Sequence, residues 1–299
     1  MKYQISEMLG QSIMTKAPSI IVEGIDDVKV YDSIVKSIGT NHYIIPVECI
    51  DGFSEGNEQV IRAMNAIKEF PASKYDYKNY ILGIIDKDVR DYRNEIPEND
   101  LVFPLNVYSI ESHFVNEENI LSSVREITRI TSDLDLRSLE EIIITEILSK
   151  FEMLYLFSLD ALKGSLDSTY SSSFSYSFNE GRTIEQADID KILLIKESLL
   201  SFATSKGITY DLETLKKISK GKWILFLYCY YLEKVVRKLP QYCREHKINT
   251  CRICLTDVEK CLYKIKEGFS HKTIKSLILN RVDINELSYI KDKFSSMQP

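Results

Sequence analysis

The run Ile81-Leu82-Gly83-Ile84-Ile85 stops abruptly at Asp86, with a second aspartate at Asp88. Five apolar or small residues are too few for a helix and too uniformly apolar for a surface strand. The run therefore predicts a strand buried on both faces, as in a parallel sheet. Ligands of such sheets collect at the carboxyl ends of the strands, so a carboxylate pair at that point constrains fold and chemistry together.

The flanking sequence extends the pattern. SIIVE (19–23) reads as a strand, and DDVKVYDSIVKSI as a helix with Val28, Tyr31, Ile34 and Val35 on one face. YIIPVEC (43–49) reads as a strand, followed by a loop with Gly52 and Gly56 and a helix over about 57–70. LVFPLNVYSI (101–110) supplies one or two further strands. Alternating strands and helices predict a parallel, Rossmann-like sheet with right-handed crossovers. Beyond Asn116 long helical patterns take over: SLEEIIITEILSKFEMLYLFSLDAL, ADIDKILLIKESLLSFATS and GKWILFLYCYYLEKVVRKL. The Ser-rich segment 165–181 between the first two reads as a mobile loop, with an ordered lid as the alternative. No internal repeat is visible. The expected organisation is an α/β parallel-sheet domain over 1–125 and an all-helical domain over 126–299.

With 299 residues, 44% apolar and 27% charged, the chain can bury one large core or two ordinary ones. The segment MKYQISEMLGQSIMTKAPS lacks the apolar centre of a secretion signal, and no stretch reaches the roughly 20 apolar residues of a membrane span. A cytoplasmic location without membrane insertion is expected. Six cysteines without a secretion signal point to reduced thiols or metal ligation. The net charge of -6 is uneven, because residues 213–275 hold 15 Lys and Arg against six acids. An acidic portion able to hold cations, joined to a basic portion able to hold phosphates, suits a metal-dependent enzyme acting on nucleic acid.

Glu23 ends the first predicted strand, and Gly24 permits a tight turn before Asp26 and Asp27. Those two aspartates have an ordinary explanation, since acids at a helix N-terminus cap free amides and oppose the dipole. Glu23 has no such explanation. Beside Asp86 and Asp88 it would crowd three or four carboxylates at one sheet edge, which is costly without a cation among them. Oxygen-only donors favour Mg2+ or Mn2+ over zinc. Such ions activate water and stabilise a phosphate ester under attack. Glu111, in VYSIESHF, is a candidate fifth ligand or a solvent-facing acid.

The pattern Glu23-Gly24-x-x-Asp27 in IVEGIDD, followed by a strand ending Asp86-x-Asp88, resembles the TOPRIM domain of topoisomerases, primases and several nucleases. The wider context, EGIDDVKVYDSI, GIIDKDVRD and VYSIESHF, is similar to a bacterial family of TOPRIM proteins that includes the nuclease partner of the PARIS phage-defence system. The resemblance covers residues 15–120. It implies a TOPRIM-like α/β domain and a Mg2+- or Mn2+-dependent endonuclease that hydrolyses phosphodiester bonds of nucleic acid, RNA and tRNA being favoured over DNA. It further implies a toxic antiviral effector held silent by a separate ABC-type ATPase partner, much as OLD-family proteins fuse the two activities. By position, Glu23 becomes a metal ligand or general base, Asp27, Asp86 and Asp88 become ligands, and Glu111 an acid following the last strand. Lys87 or Arg90 would supply the basic residue at the scissile phosphate, and Lys87 would join Glu23, Asp86 and Asp88 as a catalytic residue. The helical part would position substrate and support docking to the ATPase or dimerisation, with a homodimer as the active form.

Other patterns compete. IIDKDV also fits the nucleophile motif of haloacid-dehalogenase-type phosphatases, although there the motif strand opens the domain. A response-regulator receiver fits less well, because of the paired aspartates. A regulatory or binding module without catalysis, belonging to the same ATPase complex, is the rival from another class. Cys243, His246, Cys251 and Cys254 have the C-x2-H-x4-C-x2-C spacing of a structural zinc site, and Cys261 could replace one ligand. Trp223, Phe226, Tyr228, Tyr230 and Tyr231 read as core rather than as a base-stacking platform. Lys234, Arg237, Lys238, Arg244 and Lys247 are the candidates for nucleic-acid backbone contacts.

Overall fold

The computed structural model describes residues 2–71, 74–131, 136–254 and 257–297. They divide into two compact units, Met1–Ile110 with Asn280–Pro299, and Glu111–Leu279. The first contains α1 (Ile5–Thr15), β1 (Ser19–Val22), α2 (Ile25–Ser37), β2 (Tyr43–Pro46), α3 (Asn57–Lys68), β3 (Ile81–Ile85), α4 (Arg90–Arg93) and β4 (Val102–Pro104). Its strands form one parallel sheet in the order β2-β1-β3-β4. Every residue of the inner strands β1 and β3 is buried, as their continuous apolar character predicts. The segment 101–110 contributes one strand, which closes at Pro104 on the sheet edge.

Alternation along the strands sends side chains to two layers. Ile21, Ile81 and Ile85 join Met8 and Leu9 of α1 and Val60, Met64 and Ile67 of α3 in one apolar cluster. Gly83 belongs to the same face. A Cβ there would lie 2.6 Å from Met64 Cγ and 2.8 Å from Val60 Cγ1, so its missing side chain lets α3 approach β3 closely. On the other face, buried Ile20, Val22, Leu82 and Ile84 stand opposite α2, which buries Val30, Tyr31, Ile34 and Val35.

The second unit is helical: α5 (Glu117–Ile127), α6 (Arg137–Leu148), α7 (Phe151–Leu166), α8 (Gln186–Leu194), α9 (Lys196–Lys206), α10 (Leu212–Ile218), α11 (Gly221–Arg244) and α12 (His271–Leu279). Two segments read as single helices are broken, at Ser149–Lys150 and at Ile195. The Ser149 hydroxyl donates to Glu146 O at 2.8 Å, a local competitor of the helical ladder. Nothing in the local sequence marks the second break. α11 buries Trp223 and Tyr228 and leaves Phe226, Tyr230 and Tyr231 half-buried.

The Ser-rich segment 165–181 corrects the expectation of a mobile loop. Phe174 is fully buried, its ring 4.1 Å from Phe157 and 5.0 Å from Trp223. Buried Asp160 accepts from the Tyr170 hydroxyl at 2.6 Å and from the Phe174 amide at 2.7 Å. The Tyr176 hydroxyl donates to Ile218 O at 2.6 Å. Three aromatic anchors and a buried acceptor hold what the serine content alone suggested was free.

The organisation also differs from the expected split at residue 125. The sheet unit closes at Ile110, and the chain returns to it through α13 (Ser288–Ser296). Fully buried Phe294 lies 6.4 Å from the Tyr31 ring and 5.7 Å from the His42 ring. His42 Nε2 sits 3.2 Å from Phe294 O. Among the described residues, no helix is long and apolar enough to cross a membrane.

Because Phe294 fills the core of the sheet unit, Phe294→Ala should destabilise that unit by about 3–5 kcal/mol. Thermal unfolding of the full chain will show its transition moving down. An unchanged melting profile would remove α13 from that core.

Candidate active site at the carboxyl edge of the sheet

Ile21 is paired with Gly83, Val22 with Pro46 and Ile85 with Pro104. Three neighbouring strands thus end at one edge, and each leads into an acid: Glu23 directly after β1, Glu48 two residues beyond β2, and Asp86 directly after β3. Adjacent strands run about 4.8 Å apart, so residues remote in sequence become neighbours there.

Local structure explains how each acid is held. Gly24 caps the amino end of α2, and its amide donates to Asp27 Oδ2 at 3.3 Å. The Ile25 amide donates to Glu48 Oε1 at 3.1 Å. Two carboxylates therefore meet the positive end of α2. The second oxygen of Glu48 is buried and has no hydrogen-bond partner. Glu55 lies over Gly24, where a Cβ would stand 3.0 Å from its Oε1. Gly56, at φ 122, adopts a conformation that side chains resist, and its amide donates to Glu23 O at 3.2 Å.

Asn57, the first residue of α3, bridges the β3 carboxylates. Its side-chain oxygen accepts from the Asp86 amide at 3.0 Å, and its nitrogen donates to Asp88 Oδ2 at 3.1 Å. Asp86 Oδ1 also accepts from the Ile110 amide at 3.3 Å. Asp88 occupies the left-handed region at φ 51, which aspartate tolerates better than most residues. Its amide donates to Tyr108 O at 2.9 Å.

Burial pushes the Asp88 carboxyl above the usual carboxylate range, against the opposing pull of Arg90, Asn57, Arg93 and Tyr108. Of the two basic candidates, Arg90 makes a 2.6 Å ion pair with Glu58 while its charge still reaches Asp88. Lys87 pairs with Asp91.

The acids share an edge without collapsing onto one another. Among the described residues, no three carboxylates bring ligand oxygens within 4.8 Å of each other, the spacing expected of like charges. Glu111 opens the second unit, in the 3-10 turn Ile110–Phe114. All five candidate nucleic-acid contacts are exposed, but three are engaged within the unit. Arg237 pairs with Glu233 at 2.8 Å, Lys238 with Glu146 at 2.9 Å and Lys247 with Glu245 at 2.7 Å. Lys234 lies 4.2 Å from the Tyr230 ring centre, and Arg244 is in the last turn of α11. The zinc pattern needs a correction: Cys243, Cys251 and Cys254 gather with Cys261, not with His246. His246 is exposed, and its Nδ1 lies 2.8 Å from Thr250 Oγ1.

Sequence reasoning missed Glu48, Glu55 and Asn57. Glu48 follows a strand end as Glu23 and Asp86 do, a readable signal. Glu55 and Asn57 lie in a loop and at a helix start, where polar residues are ordinary. No family model matches the sequence, and no curated protein matches it.

The Asp88 shift has a definite sign. The folded state holds the Asp88 proton more tightly than the unfolded chain, so stability falls as pH rises from the ordinary aspartate pKa of about 3.9 through the raised folded value. The penalty is fully present above that value. Asp88→Asn, which keeps the shape and suits φ 51, should raise the melting temperature at pH 7 in the presence of a chelator. The advantage should vanish as pH approaches about 4. An Asp88→Asn chain less stable than wild type at pH 7 would refute the desolvation argument.

Proposed function

We propose that the chain is a divalent-metal-dependent endonuclease of TOPRIM type, hydrolysing phosphodiester bonds of nucleic acid. The observation that carries this reading is the delivery of Glu23 and of Asp86 with Asp88 to one edge by adjacent parallel strands. The donor set suits a hard cation: it consists of oxygens alone, and one of them, Glu48 Oε2, is buried without a hydrogen-bond partner. Glu23, Asp86 and Asp88 would hold the ion, Mg2+ or Mn2+, with Asp27 and Glu48 at its margin. When bound, such an ion neutralises phosphate charge and raises the acidity of water.

The chain's own residues supply the rest. Where Glu23 is not a ligand, it is the general base that takes the proton of the attacking water. Asn57 fixes the direction of Asp86 and Asp88 through its two hydrogen bonds. Arg90 places positive charge beside the acids, and the scissile phosphate is its natural partner. Lys87, held by Asp91, can serve only on leaving that pair. The resemblance to TOPRIM nucleases of phage defence extends the proposal to RNA, tRNA in particular, and to a toxic activity released by an ABC-type ATPase.

The purified chain, incubated with Mg2+ or Mn2+ and a mixture of tRNA, single-stranded RNA, plasmid and single-stranded DNA, should cleave at least one of them. Glu23→Gln should lower that rate by about 10²- to 10⁴-fold while leaving the fold intact. Because an isolated chain could await its partner, growth arrest on expression of wild type but not of Glu23→Gln is the companion measurement. Wild-type cleavage or toxicity in Glu23→Gln would sink the assignment. Activity on small phosphate esters, lost in Asp86→Asn but not in Glu23→Gln, would favour the phosphatase reading.

A further inference from the structure

The second unit carries a different set of donors. Cys243, Cys251, Cys254 and Cys261 are all buried, and their sulfurs all lie within 4.8 Å of one another. None is in a disulfide. The 3.9 Å between Cys251 Sγ and Cys261 Sγ is far beyond a disulfide bond of about 2.05 Å. It matches the edge of about 3.8 Å expected for a tetrahedron of sulfurs about 2.3 Å from a central ion.

Thiols are at home in apolar cores, and burial alone would account for four of them near one another. It does not account for the amides aimed at them. The Cys251 amide donates to Cys243 Sγ at 3.2 Å, and the Cys254 amide to Cys251 Sγ at 3.3 Å. Leu262 donates a backbone hydrogen bond to Cys251, and Tyr263 donates one to Cys261. Such donors stabilise thiolate sulfur, the form that ligates metal. The turn from Cys251 to Cys254, with its amide pointing back at the first sulfur, has the backbone form of a metal knuckle.

We propose that Cys243, Cys251, Cys254 and Cys261 bind one structural zinc ion. Four protein sulfurs complete a tetrahedron and leave no open position, the mark of a structural rather than a catalytic site. A cage this tight fits one ion, whereas a polynuclear iron–sulfur cluster spreads its cysteines around several metal atoms. The ion has a mechanical task that the topology defines. Cys243 lies in the last turn of α11, and Cys261 directly precedes a return segment. In that segment Leu262 O accepts from the Arg129 amide at 2.9 Å, and Ile265 bridges Thr128 in antiparallel fashion. One ion therefore ties the end of α11 to the chain that pairs beyond α5. Its binding energy is folding energy for this corner. The proposal is independent of the reaction assigned to the sheet edge.

Elemental analysis of the full chain, purified without a histidine tag, should find about one zinc per chain. Cys251→Ser and Cys261→Ser should each lower that content about tenfold or more, and His246→Ala should leave it unchanged. Should the serine variants fail to fold, wild type carries the test alone. Exchange with Co2+ should give the intense visible bands of a tetrahedral thiolate site, and a zinc-selective chelator should lower the melting temperature, with recovery on adding zinc. A folded chain free of zinc, a coloured iron-loaded chain, or loss of zinc in His246→Ala with retention in Cys261→Ser would overturn it.

Discussion

Parallel pairing of β1 with β3 is the constraint on which the site depends. Glu23 and Asp86 are far apart in the chain and come to one edge only because both strands run the same way in matched register. An antiparallel pair would place them at opposite ends of the sheet. The pairing draws on Gly83, which admits α3 onto β3 through Val60 and Met64. The same helix starts with Asn57, whose side chain reaches Asp86 and Asp88. Core packing and site geometry are thus set by one helix, with its apolar face holding the sheet and its first residue orienting the acids.

Acids gathered at one edge repel one another, and the fold offsets this only in part. The amino end of α2 meets Asp27 and Glu48, Arg90 lends charge to Asp88, and Asn57 contributes one donor and one acceptor. What is left over is informative. Glu48 Oε2 remains buried without a hydrogen-bond partner, and Asp88 is desolvated in a left-handed conformation. Folds accumulate such unfavourable features where function needs them, since packing alone would favour apolar or better-solvated residues.

The sheet was legible because a fully buried parallel strand has few alternatives: SIIV and ILGII admit no amphipathic helix and no half-exposed strand. Glu23, Asp86 and Asp88 were legible for the same reason, as polar residues that end apolar runs. Features set by long-range packing were not. α13 shows an ordinary amphipathic pattern, and nothing in it states that Phe294 fills a space between Tyr31 and His42. The segment 165–181 misled through composition, because its serines outnumber the few rings that decide its conformation. Asp160, buried in α7 and waiting for the Phe174 amide, was the overlooked sign of an ordered segment. In the cysteine cluster, spacing favoured His246. The fold instead turns that residue away at φ 56 and brings in Cys261 from beyond the short turn Val258–Lys260.

The two donor sets differ in the property that decides which metal each accepts. The sheet edge offers carboxylate oxygens, hard donors suited to ions that retain water and exchange substrate oxygens. The cluster of the second unit offers only sulfur, which binds zinc far more strongly than it binds magnesium. Gathering four cysteines in one unit and the edge acids in the other limits the competition that a mixed site would suffer. An ion held at an oxygen-only edge would keep open positions for a phosphate ester, whereas one enclosed by four cysteine sulfurs would keep none. Were both proposed ions bound, donor type alone would keep one permanent and mechanical and the other exchangeable, with no demand that the two sites communicate.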